Sequence, residues 1–151
     1  MIENLSSKVS VIIPVFKVRS FIERCVCSLF EQTLTDIEYI FVDDASPDDS
    51  IDILKACIER YPERKGQVRI LVHEQNQGLP AARNTGLAVA TGEYVFHCDS
   101  DDWVDANMYS LMYQEAKSKN YGIVICDWYE TDGAHHRPIY QKLDKHDFFL
   151  H

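Results

Sequence analysis

The sequence lacks the features that mark membrane-spanning and nucleic-acid-binding chains. No apolar run approaches the roughly 20 residues that a membrane-spanning helix needs, and the first residues show no signal-peptide pattern. We therefore expect a cytoplasmic protein. With a formal net charge of −9, the chain offers no basic face for a phosphate backbone, which argues against a nucleic-acid partner.

Cysteine is present, but without the spacing of a metal or disulfide framework. The five cysteines are odd in number and include no C-x-x-C pair. Cys98 and Cys126 lie in apolar runs, which favours buried and reduced thiols. At 151 residues, 46% of them hydrophobic, the chain has the size and composition of one soluble domain with a real core.

The order of the apolar patterns indicates an α/β fold. Short β-branched or apolar runs alternate with helical patterns, which predicts βα units around a mainly parallel sheet flanked by helices. The first strand is predicted to stop at Pro14, and a helix is predicted to start at Ser46 and Pro47. The predicted strands cover residues 9–13, 39–42, 68–72, 94–98 and 123–126.

Acidic residues follow two of these strands. Asp43 and Asp44 follow the second strand, whereas Asp99, Asp101 and Asp102 follow the fourth. Ligands of parallel α/β sheets bind beyond the carboxyl ends of the strands, so these carboxylates are expected at a ligand site. Asp99 and Asp101 are two residues apart in chain that we expect to be extended, so their side chains are predicted to point the same way. Such a pair suits a hard divalent cation that also binds substrate phosphates.

The other polar residues near these exits allow more than one interpretation. Asp102 alone is typical of a loop acid near the start of the next helix, and Asp43 fits a solvated turn as well as a site. Asp44 is the better candidate for contact with a nucleobase or ribose. Arg83, near a helix start, is placed either against a phosphate or in a hydrogen bond that holds the acidic loops, and Asn84 fits the second role slightly better.

Four sequence blocks together resemble family 2 glycosyltransferases. They are V-S-V-I-I-P-V-F, V-D-D-A-S-P-D-D-S, G-L-P-A-A-R-N-T-G-L and G-E-Y-V-F-H-C-D-S-D-D-W, in the family's order and spacing. The resemblance implies a GT-A-like, Rossmann-like fold of the nucleotide-diphospho-sugar transferases. It also implies an enzyme that transfers a sugar, with inversion, from a nucleotide-diphosphate-sugar donor, often UDP-linked, to a glycan or lipid-linked saccharide.

The resemblance also implies roles for individual residues. The residues expected to bind the nucleotide sugar are Pro14, Val15, Phe16, Asp44, Arg83 and Asp99. Within this set, the first three line the pocket of the base, and Asp44 contacts the base itself. Asp101, with Asp99 beside it, is expected to hold Mg²⁺ or Mn²⁺, which would stabilise the charge that develops on the leaving nucleoside diphosphate.

No residue is assigned as the general base. An inverting transfer needs a carboxylate to take the proton of the acceptor hydroxyl, and relatives often carry it in a later Glu-Asp pair. This sequence contains no Glu-Asp dipeptide, and the later carboxylates Asp127, Glu130 and Asp132 do not match that pattern. We therefore expect a single domain over residues 1–151 that is incomplete on its C-terminal acceptor side.

Three further interpretations follow from the same residues. Without the base, the chain is a nucleotide-sugar-binding module that keeps the fold and lacks catalysis. A magnesium-dependent phosphotransfer domain of the receiver or haloacid-phosphatase type is disfavoured. The phosphatase pattern wants threonine where this chain has Trp103, and a receiver needs a lysine at a later strand end, which does not follow Cys126. Peripheral attachment to the cytoplasmic face of a membrane stays open.

Overall fold

The computed structural model describes residues 7–132 and 134–140 of the chain. The chain divides after Tyr113 into two compact units. None of the helices found in the described part of the chain has the length and apolar character needed to span a bilayer.

The first unit is built around a parallel sheet. Its strands are β1 (Val9–Val15), β2 (Ile37–Asp43), β3 (Val68–Val72) and β4 (Tyr94–His97). Within the described residues their order is β3-β2-β1-β4, and every pairing is parallel. The two central strands are buried almost throughout, which explains their near-continuous apolar sequence. This arrangement confirms the predicted α/β fold.

The first strand continues through Pro14, so the prediction that it stops there was wrong. Pro14 pairs in register with Val42 of β2. The carbonyl of Ile12 accepts a hydrogen bond from the N–H of Cys98 at 3.0 Å, so Pro14, two residues further, also faces the β4 side. The pairing of β4 with β1 ends at His97, opposite Ile12. No strand residue therefore lies opposite Pro14 on that side, and the absence of a backbone N–H on proline costs the sheet no hydrogen bond.

Helices cover both faces of this sheet. They are α1 (Ile22–Phe30), α2 (Ser50–Arg60) and α3 (Leu79–Leu87). The first residues of α4 (Met108–Lys119) also belong to the first unit, and the helix continues past the division after Tyr113. The larger apolar cluster joins Val11 and Ile13 of β1 to residues of α1 and α2, whereas the smaller joins Ile12 to Ala82 of α3. Since side chains alternate across a strand, β1 supplies both cores from its two faces.

Helix α3 lies close to β1 at Gly86. A Cβ built on Gly86 would stand 2.4 Å from the Cγ2 atom of Ile12, which is fully buried. The absence of a side chain therefore permits this approach. Arg83, one turn earlier on the same helix, reaches the end of β4.

The helix predicted to start at Ser46 begins at Ser50 instead, with Asp49 before it. Ser46 does not cap the helix, because its hydroxyl oxygen accepts a hydrogen bond from the N–H of Lys17 at 2.8 Å. The same hydroxyl donates to Asp48 at 2.8 Å. Residues 46–49 therefore form a loop whose polar groups serve the neighbouring segment after β1.

The cysteines agree with the prediction of reduced thiols. All five are free, and Cys25, Cys57 and Cys98 are buried. Cys126, which was also predicted to be buried, is only half-buried, because the run around it joins no strand of the described sheets. A hydrogen bond with Cys98, followed by burial, raises the pKa of the Cys25 thiol above its ordinary value. The Cys25 thiol is therefore neutral and unreactive at neutral pH.

The second unit contains an antiparallel hairpin of β5 (Trp128–Thr131) and β6 (His136–Ile139). Asp132 closes the turn between them by accepting hydrogen bonds from the N–H groups of Ala134 and His135. Residues 123–126, predicted as a strand, do not form one. A strand needs a partner for its backbone groups, and none pairs with this run in residues 7–132 and 134–140.

Candidate functional site

The strand order of the sheet reverses beside β1. The chain passes from β1 to β2 and β3 on one side, and then crosses to β4 on the other side. In open parallel sheets, ligands bind beyond the carboxyl ends of the strands at such a switch point. The segments that leave β1 and β4 border this point, and the segment that leaves β2 lies next to them.

At the end of β1, Phe16 reaches the surface, whereas Pro14 and Val15 are buried within the strand. The Phe16 side chain is 38% exposed. The next residue, Lys17, has a left-handed φ of 56°, a conformation that costs a non-glycine residue about 1 kcal/mol. Of the three residues predicted to line a base pocket, only Phe16 has a side chain that reaches the surface at the end of β1. The binding role of all three stays a prediction.

Side chains from the loop after β2 hold this segment in place. Three backbone N–H groups donate to them: Lys17 to Ser46 at 2.8 Å, Val18 to Ser50 at 3.1 Å, and Arg19 to Asp48 at 3.2 Å. Desolvation alone would raise the pKa of Asp48, but hydrogen bonds from Ser50 and Ser46 outweigh it and lower the pKa to about 2. Asp48 is therefore an ionised anchor of the loop.

Asp44 is buried, and its carboxylate is occupied by donors of the protein. Its Oδ1 atom accepts from Nδ1 of His73 at 2.7 Å and from the N–H of Gln77 at 2.8 Å. Its Oδ2 atom accepts from the N–H of Gly78 at 2.8 Å. Desolvation opposes ionisation, but the hydrogen bonds from Gln77 and His73 bring the pKa of Asp44 below its ordinary value. Asp44 thus shapes the turn before α3, and its contact with a base stays a prediction.

His73 is the residue of this region that the sequence analysis missed. It is buried directly after β3, and its Nδ1 atom carries the proton because an ionised Asp44 only accepts. Its Nε2 atom forms a hydrogen bond with the hydroxyl of Thr85 on α3 at 2.9 Å. His73 therefore joins the ends of two strands to a helix. Its position directly after a strand was the available signal, and that position also singled out Asp43 and Asp99.

The acidic run after β4 forms a tight turn, so the prediction of extended chain was wrong. The N–H of Asp102 donates to the carbonyl of Asp99 at 3.0 Å, which is the i to i+3 bond of a β-turn. β4 ends at His97, and its last bond to β1 runs from Cys98 to Ile12. Beyond that bond, β1 no longer holds the chain extended.

Three carboxylates lie together in this turn. Asp101 and Asp102 are exposed, and the Asp99 side chain is 45% exposed, while Ser100 between them is buried. The surrounding protein atoms partly desolvate the Asp102 carboxylate although the residue is exposed, and this, followed by repulsion from Asp101 and Asp99, raises the pKa of Asp102 above its ordinary value. Oxygen donors that repel one another in this way are the set that a hard cation such as Mg²⁺ or Mn²⁺ satisfies.

Asp99 also forms an ion pair with Arg83, with 2.6 Å between its Oδ1 atom and a terminal nitrogen of the guanidinium. Of the two interpretations of Arg83, the bond that holds an acidic loop is therefore observed, and contact with a nucleotide stays a prediction. The Nε atom of Arg83 is buried without a hydrogen-bond partner among the described residues. Asn84, its neighbour, is exposed.

The metal prediction fits the chemistry of the turn as a site of two carboxylates. Across residues 7–132 and 134–140, no group of three or more histidine, cysteine and acidic side chains is arranged to hold a metal ion. Asp101 and Asp99 would thus supply the one or two carboxylates that Mg²⁺ takes when substrate phosphates complete its shell.

Two of the later carboxylates form contacts within the hairpin of the second unit. Glu130 of β5 pairs with Arg137 of β6, and Asp132 closes the hairpin turn. The sequence analysis assigned no general base, and the contacts of these two described carboxylates do not identify one.

Comparison with known sequences gives a consistent relationship. The model described as "Glycosyl transferase family 2" matches residues 10–148. EpsJ of Bacillus subtilis, named as an uncharacterized glycosyltransferase, is 42% identical over 122 residues, which cover 81% of this chain and 34% of EpsJ. The chain spans about a third of the length of several of the curated relatives that it matches.

Two solved structures show the same fold as the chain. A crystal structure of S. aureus TarS in complex with UDP superimposes with a TM-score of 0.68 and 28% identity, covering 75% of this chain and 33% of TarS. The mannosyltransferase PcManGT from Pyrobaculum calidifontis, in complex with GDP-Man and Mn²⁺, gives a TM-score of 0.60 and 28% identity, covering 65% of this chain and 28% of PcManGT. The predicted GT-A fold is thereby confirmed.

Proposed function

The chain belongs to glycosyl transferase family 2, and from this premise we propose that it forms the donor-binding part of a sugar-transferring enzyme. The donor is a nucleotide diphosphate sugar, with UDP as the first candidate for the nucleotide. The acceptor is a glycan or a lipid-linked saccharide. A cytoplasmic location, with or without attachment to a membrane surface, is part of the same proposal.

The observation that carries the proposal is the acidic turn at the switch point of the sheet. Its exposed carboxylates are arranged with Arg83 at the carboxyl edge, where parallel sheets bind nucleotides. The TarS structure contains UDP and the PcManGT structure contains GDP-Man with Mn²⁺, and both share the fold. These two complexes support a nucleotide diphosphate as the ligand.

The metal belongs to the proposal together with its ligands. Asp101 and Asp99 would hold Mg²⁺ or Mn²⁺, and the cation would supply positive charge for the departing diphosphate. Arg83 orients Asp99 by their ion pair, and it brings a second positive charge to the same edge. An inverting transfer also needs a carboxylate base, which the described residues do not identify.

The base of the nucleotide is proposed to bind between the ends of β1 and β2. Phe16 offers a partly exposed ring there, and rings of this kind stack on nucleobases. Asp44, which stands at the neighbouring exit, already accepts three hydrogen bonds from protein donors and would contact the base only through its remaining acceptor capacity.

Calorimetric titration of UDP and of UDP-sugars, with and without Mn²⁺, tests the proposal. We expect saturable binding that strengthens when Mn²⁺ is present. GDP and GDP-mannose serve as the matched series for the choice of base. A chain that is folded but binds no nucleotide diphosphate under either condition would contradict the proposal.

A second candidate function is donor binding without catalysis. The engagement of Glu130 and Asp132 within the hairpin favours it, because an inverting transfer requires an available carboxylate. The two candidates differ in one measurement, the release of UDP from a UDP-sugar in the presence of acceptor saccharides. Turnover by this chain supports the enzyme, whereas tight binding without turnover supports the module.

A further inference from the structure

Ser28 of α1 and Gln32, just after it, form hydrogen bonds to the segment that follows the acidic turn. We propose that these two residues are positioning residues for the metal and diphosphate site. The inference rests on the proposed function, because it concerns the same turn. Neither side chain is expected to touch the ligand. They act by fixing the chain on which the carboxylates stand.

The residues involved form one stripe on α1. Cys25, Ser28 and Gln32 are spaced by three and four positions, so they lie along the same side of the helix and its extension. The segment that crosses this stripe runs from Asp99 to Tyr109. The stripe therefore contacts both ends of the segment that contains the turn.

Gln32 forms the strongest of these contacts. Its side-chain nitrogen donates to the carbonyl of Asp105 at 2.7 Å and to the carbonyl of Ser28 at 3.1 Å. Its side-chain oxygen accepts from the N–H of Tyr109 at 3.2 Å. Gln32 is buried, with 3% of its surface exposed, so these three bonds are shielded from water. The side-chain amide of Gln32 thus joins the end of α1 to the loop before α4, at Asp105, and to the first turn of α4, at Tyr109.

Ser28 and its neighbours hold the part of the segment closest to the carboxylates. The hydroxyl oxygen of Ser28 accepts from the N–H of Val104 at 3.2 Å. The thiol of Cys25 donates to the carbonyl of Asp99 at 3.8 Å, and the guanidinium carbon of Arg24 lies 3.1 Å from the ring centroid of Trp103. The backbone is therefore anchored at Asp99 and at Val104, and residues 100–103 form the span between these two anchors. Within the span, Arg24 contacts the side chain of Trp103.

Loss of the anchors would lengthen this span. Without Ser28 and Gln32, the chain between Cys98 and α4 would be free to sample more conformations, and ordering it again on binding a ligand would oppose binding. Mutation of groups that orient metal ligands from behind commonly lowers metal affinity by about 10- to 100-fold. The hydrogen bonds of Ser28 and Gln32 to Val104, Asp105 and Tyr109 are called the clamp from here on. The clamp is expected to affect metal-dependent binding more than binding of the nucleotide alone.

Trp103 reports the position of the segment without any ligand. The chain contains two tryptophans, so a Trp128→Phe background leaves Trp103 as the only one. In this background, Gln32→Ala and Ser28→Ala are expected to raise the acrylamide quenching constant of Trp103 by about twofold, because the ring loses its fixed stacking on Arg24. Ser28→Thr keeps the hydroxyl and is expected to quench like the parent.

Titration of UDP with and without Mn²⁺ supplies the second measurement. In Gln32→Ala and Ser28→Ala, affinity with Mn²⁺ is expected to fall about tenfold, while affinity without metal stays within about twofold. Thr33→Val is the matched control, because it removes a hydroxyl contact to Ser110 of α4 and leaves the clamp bonds intact. It is expected to bind like the parent, as is Ser28→Thr.

The outcomes separate this inference from the proposed function. Unchanged quenching in both alanine variants, or increased quenching with unchanged Mn²⁺-dependent affinity, would overturn the inference. An equal loss in Thr33→Val would also overturn it, because the effect would then belong to the contact with α4 in general. If the parent binds no UDP with Mn²⁺, the proposed function fails, and the Trp103 measurement still decides whether the clamp fixes the segment.

Discussion

The acidic exits of β2 and β4 have similar composition but differ in what their carboxylates contact. After β2, Asp44 accepts three hydrogen bonds from protein donors and is buried. Asp48, in the same loop, accepts bonds from Ser46, Ser50 and a backbone N–H. After β4, Asp101 and Asp102 are exposed. One exit is therefore closed by its own donors, and the other keeps carboxylate oxygens available.

The pKa directions follow from this difference. Desolvation tends to raise the pKa of all three acids, but donors lower the pKa of Asp44 and of Asp48 below the ordinary value. For Asp102, desolvation and then repulsion from Asp101 and Asp99 raise the pKa, and no donor among residues 7–132 and 134–140 offsets them. Carboxylates that are fully hydrogen-bonded stabilise a loop, whereas crowded and exposed ones gain from a cation.

The largest effect is expected at the closed exit. Asp44→Ala removes the carboxylate that accepts from His73 and from two backbone N–H groups, and so leaves three donors without their acceptor. The free energy of unfolding should fall by about 2–4 kcal/mol. Urea denaturation measures this change. Asp52→Ala, an exposed acid on α2, is the control and should stay within about 0.5 kcal/mol. Equal stability of the two variants would mean that the closed exit has no structural role.

The next largest effect is expected at the acidic turn after β4, and it should appear in ligand affinity instead of stability. Asp101→Asn should lower the affinity for UDP with Mn²⁺ at least about tenfold, since a metal ligand is lost. The free energy of unfolding should be unchanged or slightly higher, because repulsion with Asp102 is relieved. Calorimetry and urea denaturation on the same samples test both halves. A loss of stability without a loss of affinity would reverse the comparison.

A smaller effect is expected in the pH dependence of stability. The pKa of Asp48 is about 2 in the folded chain against an ordinary value of 3.8, so its stabilisation is fully present above 3.8 and is lost as the pH falls through about 2. Asp48→Asn should therefore be less stable at neutral pH and lose less stability between these two values. Urea denaturation across that range checks the slope. A steeper slope in the variant would contradict the assigned role.

The smallest effect is expected at Ala45, the residue between the acids and the loop of the closed exit. Its φ is 56°, so Ala45→Gly relieves backbone strain of about 1–2 kcal/mol. Glycine also gives the unfolded chain more conformational freedom, which opposes folding by a smaller amount, about 0.4–1 kcal/mol. A gain of about 0.5 kcal/mol in the free energy of unfolding is expected. Ala56→Gly, in the exposed face of α2, should instead lose about 1 kcal/mol. The same sign in both variants would refute the strain argument.

Much of the fold was accessible from the sequence because each element carries its own local pattern. The β-branched run of β1 and the pattern of α1, with the alternation that follows them, predicted a parallel α/β sheet. The resemblance carried by the four blocks implied the same fold, and the family comparisons agree. The errors arose where pairing decides. Pro14 remains in β1 because β4 is short at that point, and residues 123–126 form no strand because nothing described pairs with them.

The candidate site shows the same division. Composition and position after a strand singled out Asp99 and Asp101, since the carboxyl ends of parallel strands lie at one edge. The same signal was present for His73 but was not distinguished from an ordinary polar residue. Nothing in the sequence pointed to Ser28 or Gln32, because their partners are backbone groups more than 70 residues away in the chain.

By itself, the sequence determined the family, the order of strands and helices in the first unit, and the carboxylates that could bind a cation, because these depend on residue type and local spacing. The tertiary structure decided which carboxylates are satisfied by the protein and which remain available. That choice depends on donors brought from distant parts of the chain, such as His73 and Gly78 for Asp44. In the turn at Asp99 to Asp102, Arg83 is such a donor to Asp99, whereas the side chain of Asp101 stays exposed.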